Sequence, residues 1–474
     1  MNRVLISFFA AALMGATAAA QGPRYSLEQC IQTALTNNIE ARQTNLQTEA
    51  AKVAYSQSKS NLLPDVNGSI THGVNSGRSI DPFTNSYVNQ KVNYASYGIG
   101  SGVVLFNGGR LQHGIRQNGY AYDAAKMEGQ GVKDNLTLNV MLAYLQVLSS
   151  EDLVQLSGAQ AGVTQKQVER LEVLNRQGAI NPPQLYELRG QFKEEELAVV
   201  NNRAALANAK LVLTQLMNVP YDSALTVERI GMEDLLYRYP HPAAEVYRRA
   251  TEHLAAVKAA ELRQRSAAAG VRATRGELFP TLLLNGNLNT NFSSAASRDI
   301  LLNSIEAPTA DYVFVNGSKV PVLTRQNNYT SERITYGSQL SNNVFSNIGL
   351  TLRIPVFNAS LTRNRVKLAS IELKQTELLA ENTRVQLRQQ VDGAYVAMSN
   401  AWDRYKVLVE GVAAYTEAFR AAEIRFNAGL GTSVDYLIAK NNLDRASGNL
   451  VMAQYEYLLR KRVLDFYAGN LTNK

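Results

Sequence analysis

Between Ser26 and Asn61 the apolar positions Leu27, Ile31, Ala34 and Leu35 keep helical spacing behind a Ser26 N-cap, and Pro64 stops the pattern. The same register returns from Ala243 to Leu278, ahead of Pro280, with Ala250 in the place of Ala34. One helix is predicted over each stretch. Past each proline the period of the apolar positions drops from helical to two. Leu282, Leu284, Leu288 and Phe292 alternate with Asn285, Asn287, Asn289 and Asn291, and Ile348, Leu350, Leu352, Ile354 and Val356 alternate with Asn347, Gly349, Thr351 and Arg353. In the earlier copy Tyr97, Ile99, Val103 and Leu105 alternate with Gly98, Gly100 and Gly102. Hairpins are predicted at about 65–106 and 281–357, each with one oily and one wet face. The second is longer by about 35 residues, in a Ser-, Asn-, Thr- and Tyr-rich stretch over 293–343. An extended extracellular loop is expected there, with a small inserted subdomain as the alternative.

After each hairpin the chain turns at Asn107-Gly108-Gly109 or Asn358-Ala359-Ser360 and enters a long proline-free region. A helix from Arg110 to Arg176 would reach roughly 100 Å, so it needs partners along its whole length. The seams are legible. Val391, Tyr395, Met398, Trp402, Tyr405, Val409 and Val412 step by four and three, as do Ala439, Leu443, Ala446, Leu450, Ala453, Tyr457, Leu464 and Tyr467. Six glycines between Gly114 and Gly162 predict bends or uneven packing in the first long helix. Phe106-Asn107 recurs as Phe357-Asn358, and Arg176-Gln177-Gly178 as Asn427-Ala428-Gly429, both 251 positions on. The chain is an internal repeat: 21–216, an irregular linker over 217–242, and 243–474.

The ends and the composition narrow the function. Arg3, an apolar run from Val4 to Met14 and Ala18-Ala19-Ala20 read as an export signal over 1–20. No later run of about 18 apolar residues could span a bilayer as a helix, so any membrane contact falls to the strands. Cys30 is the single cysteine, which excludes disulfide staples, and it lies too far from the cleavage point to carry a lipid anchor. It is expected to be half-buried on its helix. The net charge of +8 is spread along helices, which points away from nucleic acid. His72, His113, His241 and His253 are scattered, and Glu194, Glu195 and Glu196 read as a solvated helix face. The sequence offers no catalytic constellation, metal set or cofactor motif, so an enzyme is not expected.

A soluble half-buried sheet is one reading of the alternating strands. The helices, however, spend their apolar stripes on one another, leaving lipid to cover the oily face, and a sheet in lipid must close. Four strands are too few for a membrane barrel, so several chains must contribute. Two would give eight strands with a filled interior; three would give twelve and leave a lumen, which the Asn, Gly and Thr face favours.

Tyr25-Ser26-Leu27-Glu28 with Ala34-Leu35 and Asn37-Asn38, the Leu63-Pro64 and Phe279-Pro280 breaks, and the two helix-to-helix turns resemble those of the TolC family of outer-membrane channel proteins. The resemblance implies a mainly α fold with a small β part, in which three chains build a twelve-stranded transmembrane barrel and a long antiparallel coiled-coil helical tunnel. It implies an exit channel for tripartite efflux or type I secretion, partnered by outer-membrane lipid, a periplasmic adaptor and an inner-membrane RND or ABC transporter. The segment from Arg425 to Leu437, with its repeat partner from Asn175 to Asn181, resembles the family's periplasmic tip. Candidate docking residues are accordingly Arg176, Gly178, Ala179, Ile180, Asn427, Gly429, Leu430 and Gly431. Gly178 and Gly429 suit left-handed positions that end a helix, and Pro182 and Pro183 suit the first turn of the next. Asp435 occupies the place of an acid that narrows the tunnel entrance, or alternatively caps its helix, and Ile438 stands where a second acid is common. Asn285, Asn287, Asn289, Asn291 and Arg353 are the candidate lumen residues. The competing reading is a trimeric coiled-coil surface scaffold or adhesin without channel activity.

Overall fold

A computed structural model describes residues 24–80, 85–89, 91–230 and 237–470. The expected export signal at 1–20 and part of the linker, at 231–236, lie outside the described residues. The fold is mainly helical with a smaller β component. It divides into two compact units: Met1–Val53 with Asn118–Ala267 and Glu372–Lys474, and Ala54–Gln117 with Ala268–Ile371.

The repeat is visible element by element. β1 (Arg24–Tyr25) leads into α1 (Leu27–Asn37) and α2 (Ile39–Ser60), whose twins are α5 (Ala243–His253) and α6 (Ala255–Gly276). The strands β2 (Asp65–Asn75) and β5 (Val92–Phe106) correspond to β7 (Thr281–Ser293) and β10 (Phe345–Arg353). A short pair, β3 (Arg78–Ile80) and β4 (Tyr87–Asn89), lies between β2 and β5. The long helices α3 (Arg110–Arg176) and α8 (Leu361–Asn427) have 67 residues each. They are followed by α4 (Pro182–Met217) and α9 (Ser433–Tyr467). α3 runs as one helix through all six glycines; a Cβ on Gly129 would make ordinary contact, 3.4 Å from Thr44 and Thr48 of α2.

Three expectations need correction here. Each predicted first helix is two helices, broken at Asn38 (ψ 126) and Leu254 (ψ 126). Asn38 ends α1 and its side-chain oxygen accepts from Ala41 N at 3.2 Å, starting α2; a one-residue break of this kind leaves the apolar spacing readable as one helix. Cys30 is fully buried rather than half-buried, and burial pushes its thiol up to about 12. The stretch over 293–343 is not an extended loop. It holds β8 (Ser297–Val315) and β9 (Ser318–Arg333), paired as an antiparallel ribbon, and a short helix α7 (Tyr336–Asn342).

Two of the cores of the helical unit are repeat copies of each other. Cys30, Ala34, Leu136, Val140 and Leu213 in one match Val246, Ala250, Leu387, Val391 and Leu464 in the other. Truncating one of the leucines to Ala should cost about 2–5 kcal/mol, the range for a buried aliphatic side chain. In the first core the hydroxyl of Tyr144 donates to Glu228 O at 2.7 Å and Tyr25 O at 3.1 Å, tying α3 to the parallel pair of β1 and β6 (Thr226–Val227). The predicted α9 seam is buried or half-buried from Ala439 to Tyr467, whereas on α8 Val409 is exposed. α8 also exposes Leu378, Val396, Ile424 and Val407, the last at 70%. A single chain leaves part of its longest helix uncovered.

In the second unit the sheet order is β10-β7-β5-β2, antiparallel throughout, so β5 and β7 join the two hairpins and β2 and β10 are free edges. β10 ends at Arg353, ahead of Pro355, short of the predicted Ile354 and Val356. The turns into the long helices are left-handed in both copies: φ is +63 and +77 at Gly108 and Gly109, and +49 and +62 at Ala359 and Ser360. A Cβ on Gly108 would lie 2.6 Å from Gly276 O, so only glycine fits there. No described helix is long and apolar enough to cross a membrane.

Candidate functional site

The two helix-to-helix turns, far apart in sequence, meet. Gly178 (φ +70) and Gly429 (φ +71) end α3 and α8 in the same way. Ala179 N donates to Leu174 O and Leu430 N donates to Arg425 O, each at 2.9 Å, so the last carbonyls of both helices are satisfied alike. Across the turns the Arg170 guanidinium donates to the Asn427 carbonyl at 3.0 Å and to its side-chain oxygen. Ser433 donates to Glu187 at 2.9 Å. A cavity of about 610 Å³ lies between them, lined by Gly178, Ala179, Ile180, Asn427, Gly429 and Gly431 among others. Arg176 is exposed beside it, and Leu430 is the most exposed apolar residue of the turn, at 77%.

Below this surface a small core holds the turns in register. Tyr436 is fully buried, stacked on Phe426 with ring centroids 4.9 Å apart and tilted against Phe419 at 5.5 Å. Its hydroxyl has no partner. Burial raises its pKa, with Glu423, Glu195 and Asp444 pushing the same way. Asp435 takes part in a capping box: its backbone N–H donates to Thr432 Oγ1 at 3.1 Å, and Thr432 Oγ1 donates to its carboxylate at 2.8 Å. The carboxylate remains exposed, so the cap leaves it open to solvent.

Sequence reasoning missed the polar cluster beneath. Lys440, 2% exposed, donates to Glu195 at 2.9 Å and to Asp444 at 2.5 Å, joining α4 to α9. Glu195 is buried, not solvated, while Glu194 and Glu196 are exposed as expected. Burial raises the Asp444 carboxyl above its ordinary value, Lys440 lowers it, and Glu195 raises it. The available signal was the i,i+4 spacing of Lys440 and Asp444, together with Arg189, the basic repeat twin of Lys440, which pairs with Glu172 at 2.6 Å.

The candidate lumen residues fall on one face of the sheet. Asn285, Asn287 and Asn289 pair with Gly102, Gly100 and Gly98, Asn291 pairs with Ser96, and Arg353 pairs with Thr281. Cross-strand partners share a face. A Cβ on Gly98 or Gly100 would press within 2.5 or 2.9 Å of an Asn side-chain oxygen, so the glycines make room for the Asn row. The opposite face carries Ile70, Ile99, Leu288, Leu350 and Ile348, all exposed, the last at 84%. A strip this apolar calls for a cover.

The chain thus carries a sheet with one oily face and two free edges, and a pair of repeated helical tips. The sequence profile of the outer membrane efflux protein family matches residues 30–219 and 246–470. The chain belongs to that family. It is 21% identical over 502 residues to the outer membrane protein TolC of Escherichia coli (strain K12), an alignment covering 100% of this chain and 88% of that protein. Among solved structures it is similar to CusC, with a TM-score of 0.74 at 17% identity over 93% of this chain and 91% of that one. It is equally similar to the outer membrane protein VceC of Vibrio cholerae, with a TM-score of 0.74 at 15% identity over 94% of this chain and 96% of that one. The outer membrane efflux family places the chain as an outer-membrane channel of a tripartite efflux or secretion system, a transport protein and not an enzyme.

Proposed function

We propose that three copies of the chain close their four-stranded sheets into one twelve-stranded barrel that crosses the outer membrane, with the long helices of the same copies forming a periplasmic tunnel. The observation that carries this reading is the sheet itself, four strands with free edges at β2 and β10 and an apolar face exposed at Ile70, Ile99, Leu288, Ile348 and Leu350. Free edges in lipid leave backbone donors and acceptors unpaired, which only closure removes. Twelve strands leave a lumen, and Asn285, Asn287, Asn289, Asn291 and Arg353 line it in this reading, with outer-membrane lipid on the face of Ile70 and Ile348.

The paired tips receive a periplasmic adaptor, through Arg176, Gly178, Ala179 and Ile180 of one turn and Asn427, Gly429, Leu430 and Gly431 of the other. Exposed Leu430 of the turn, with exposed Val434 and Ile438 in the first two turns of α9, supports an apolar contact there. An inner-membrane RND or ABC transporter supplies the energy. Asp435 presents one ring of three carboxylates at the entrance, favouring cations. Purified protein in a planar bilayer should give discrete single-channel currents; protein that stays soluble and monomeric without detergent would contradict the reading.

A further inference from the structure

The free edges β2 and β10 are repeat copies of strands whose pairing the chain already shows. Asp65 pairs with Gly102 in the first hairpin, and Thr281 with Arg353 in the second. These are one pair written twice, because β2 passes into β7 by 216 positions and β5 into β10 by 251, the offsets that also relate Ala34 to Ala250 and Phe106 to Phe357. The same offsets carry the joint between β5 and β7 onto the two edges. Ile99 opposite Leu288 becomes Leu350 opposite His72, Ser101 opposite Gly286 becomes Leu352 opposite Ile70, and Gly102 opposite Asn285 becomes Arg353 opposite Ser69.

We propose that β10 of one copy pairs antiparallel with β2 of the next in this register, so that each seam between copies reproduces the joint inside a copy. The proposal deepens the trimeric reading above and rests on it. The faces agree: Leu350, Leu352, His72 and Ile70 lie on the oily side, and Arg353 and Ser69 on the side of the Asn row. A slip of one residue would set oily positions against polar ones along the whole seam. The shape agrees as well. The Tyr94 ring crosses to Gly73 on β2, where its hydroxyl lies 2.5 Å from the place a Cβ would take. Gly98 opposite Asn289 becomes Gly349 opposite Gly73, so the single glycine of β10 falls where the outer end of that ring needs room. Charge selects the partner. At neutral pH the four strands hold two charged side chains, Asp65 at the start of β2 and Arg353 at the end of β10. They are opposite in sign, one on each edge, at the same end of the sheet and on the same face. With oily faces aligned, β2 can meet β2, or β10 meet β10, only when one sheet stands upside down in the bilayer. Pairing β10 with β2 keeps every copy upright and is the head-to-tail contact that closes a ring.

The test uses full-length protein in detergent, with Cys30→Ala removing the native thiol and two cysteines introduced per chain. Opposite residues on antiparallel strands stand about 4.5–5.5 Å apart at Cα, inside disulfide range, and a shift of two residues takes them out of it. Within one chain β5 and β7 separate the two edges, so a disulfide between them joins two copies. Oxidation of His72→Cys with Leu350→Cys, or of Ile70→Cys with Leu352→Cys, should give a reducible covalent trimer on a denaturing gel. The yield should be roughly ten-fold above that of the shifted pair, His72→Cys with Leu352→Cys. Equal or greater linking of the shifted pair, or no linking of either opposite pair in a particle of three chains, overturns the register and leaves the channel reading standing. A particle of fewer than three chains overturns both.

Discussion

At the scale of single residues, the repeat shows which positions are set by backbone geometry and which by partners. Gly108 and Ala359 occupy the same left-handed place in the two copies, φ +63 and +49, but only Gly108 is pressed against a carbonyl. Ala359→Gly should therefore stabilise the protein by about 0.5–1 kcal/mol, whereas Gly108→Ala should cost about 2 kcal/mol or more, read as shifts in thermal unfolding of the purified protein. Tyr436 offers the opposite case. Its ring stacks well and its hydroxyl is buried without a partner, so Tyr436→Phe should be neutral or gain about 1 kcal/mol, and a loss of that size would mean the hydroxyl is bonded.

Among the elements, α4 and α9 are joined by buried charges as well as by the apolar seam of α9. Removing Lys440 strands the buried Glu195 carboxylate and the half-buried Asp444, so Lys440→Met should destabilise by about 3 kcal/mol in thermal unfolding. The same cluster makes stability depend on pH. Because burial raises the Asp444 carboxyl above its ordinary value of 3.8, the folded chain keeps a proton that the unfolded chain releases. Its stabilising contribution is full below the ordinary aspartate range and is lost as pH rises through the raised value. Melting curves from acid to neutral pH should show Asp444→Asn gaining on the natural protein as pH rises; a constant difference would contradict this. The legible parts of the sequence were those where one face repeats, namely the 67-residue helices, the alternation at Leu282–Phe292 and the glycine turns. What escaped had no period: the break at Asn38, the buried Glu195 inside an acidic run, and the ribbon, whose two faces differ in charge but are both too polar near the base to alternate clearly.

The whole molecule is incomplete as one chain. Val407 on α8 and Ile348 on β10 are exposed in places where a solitary soluble protein would keep polar groups, and β2 and β10 lack outer neighbours. In the proposed trimer, association would supply both covers at once, and the tips would be the surface offered to an adaptor. Leu430→Asp, at an exposed site outside the core, should reduce adaptor capture and export roughly ten-fold without changing assembly or melting temperature. Unchanged export would remove the turn from the docking surface. The most direct test of the account is the number of chains in the purified particle, measured by native mass spectrometry in detergent. Three chains are expected; a particle of one or two would contradict the closed twelve-stranded channel.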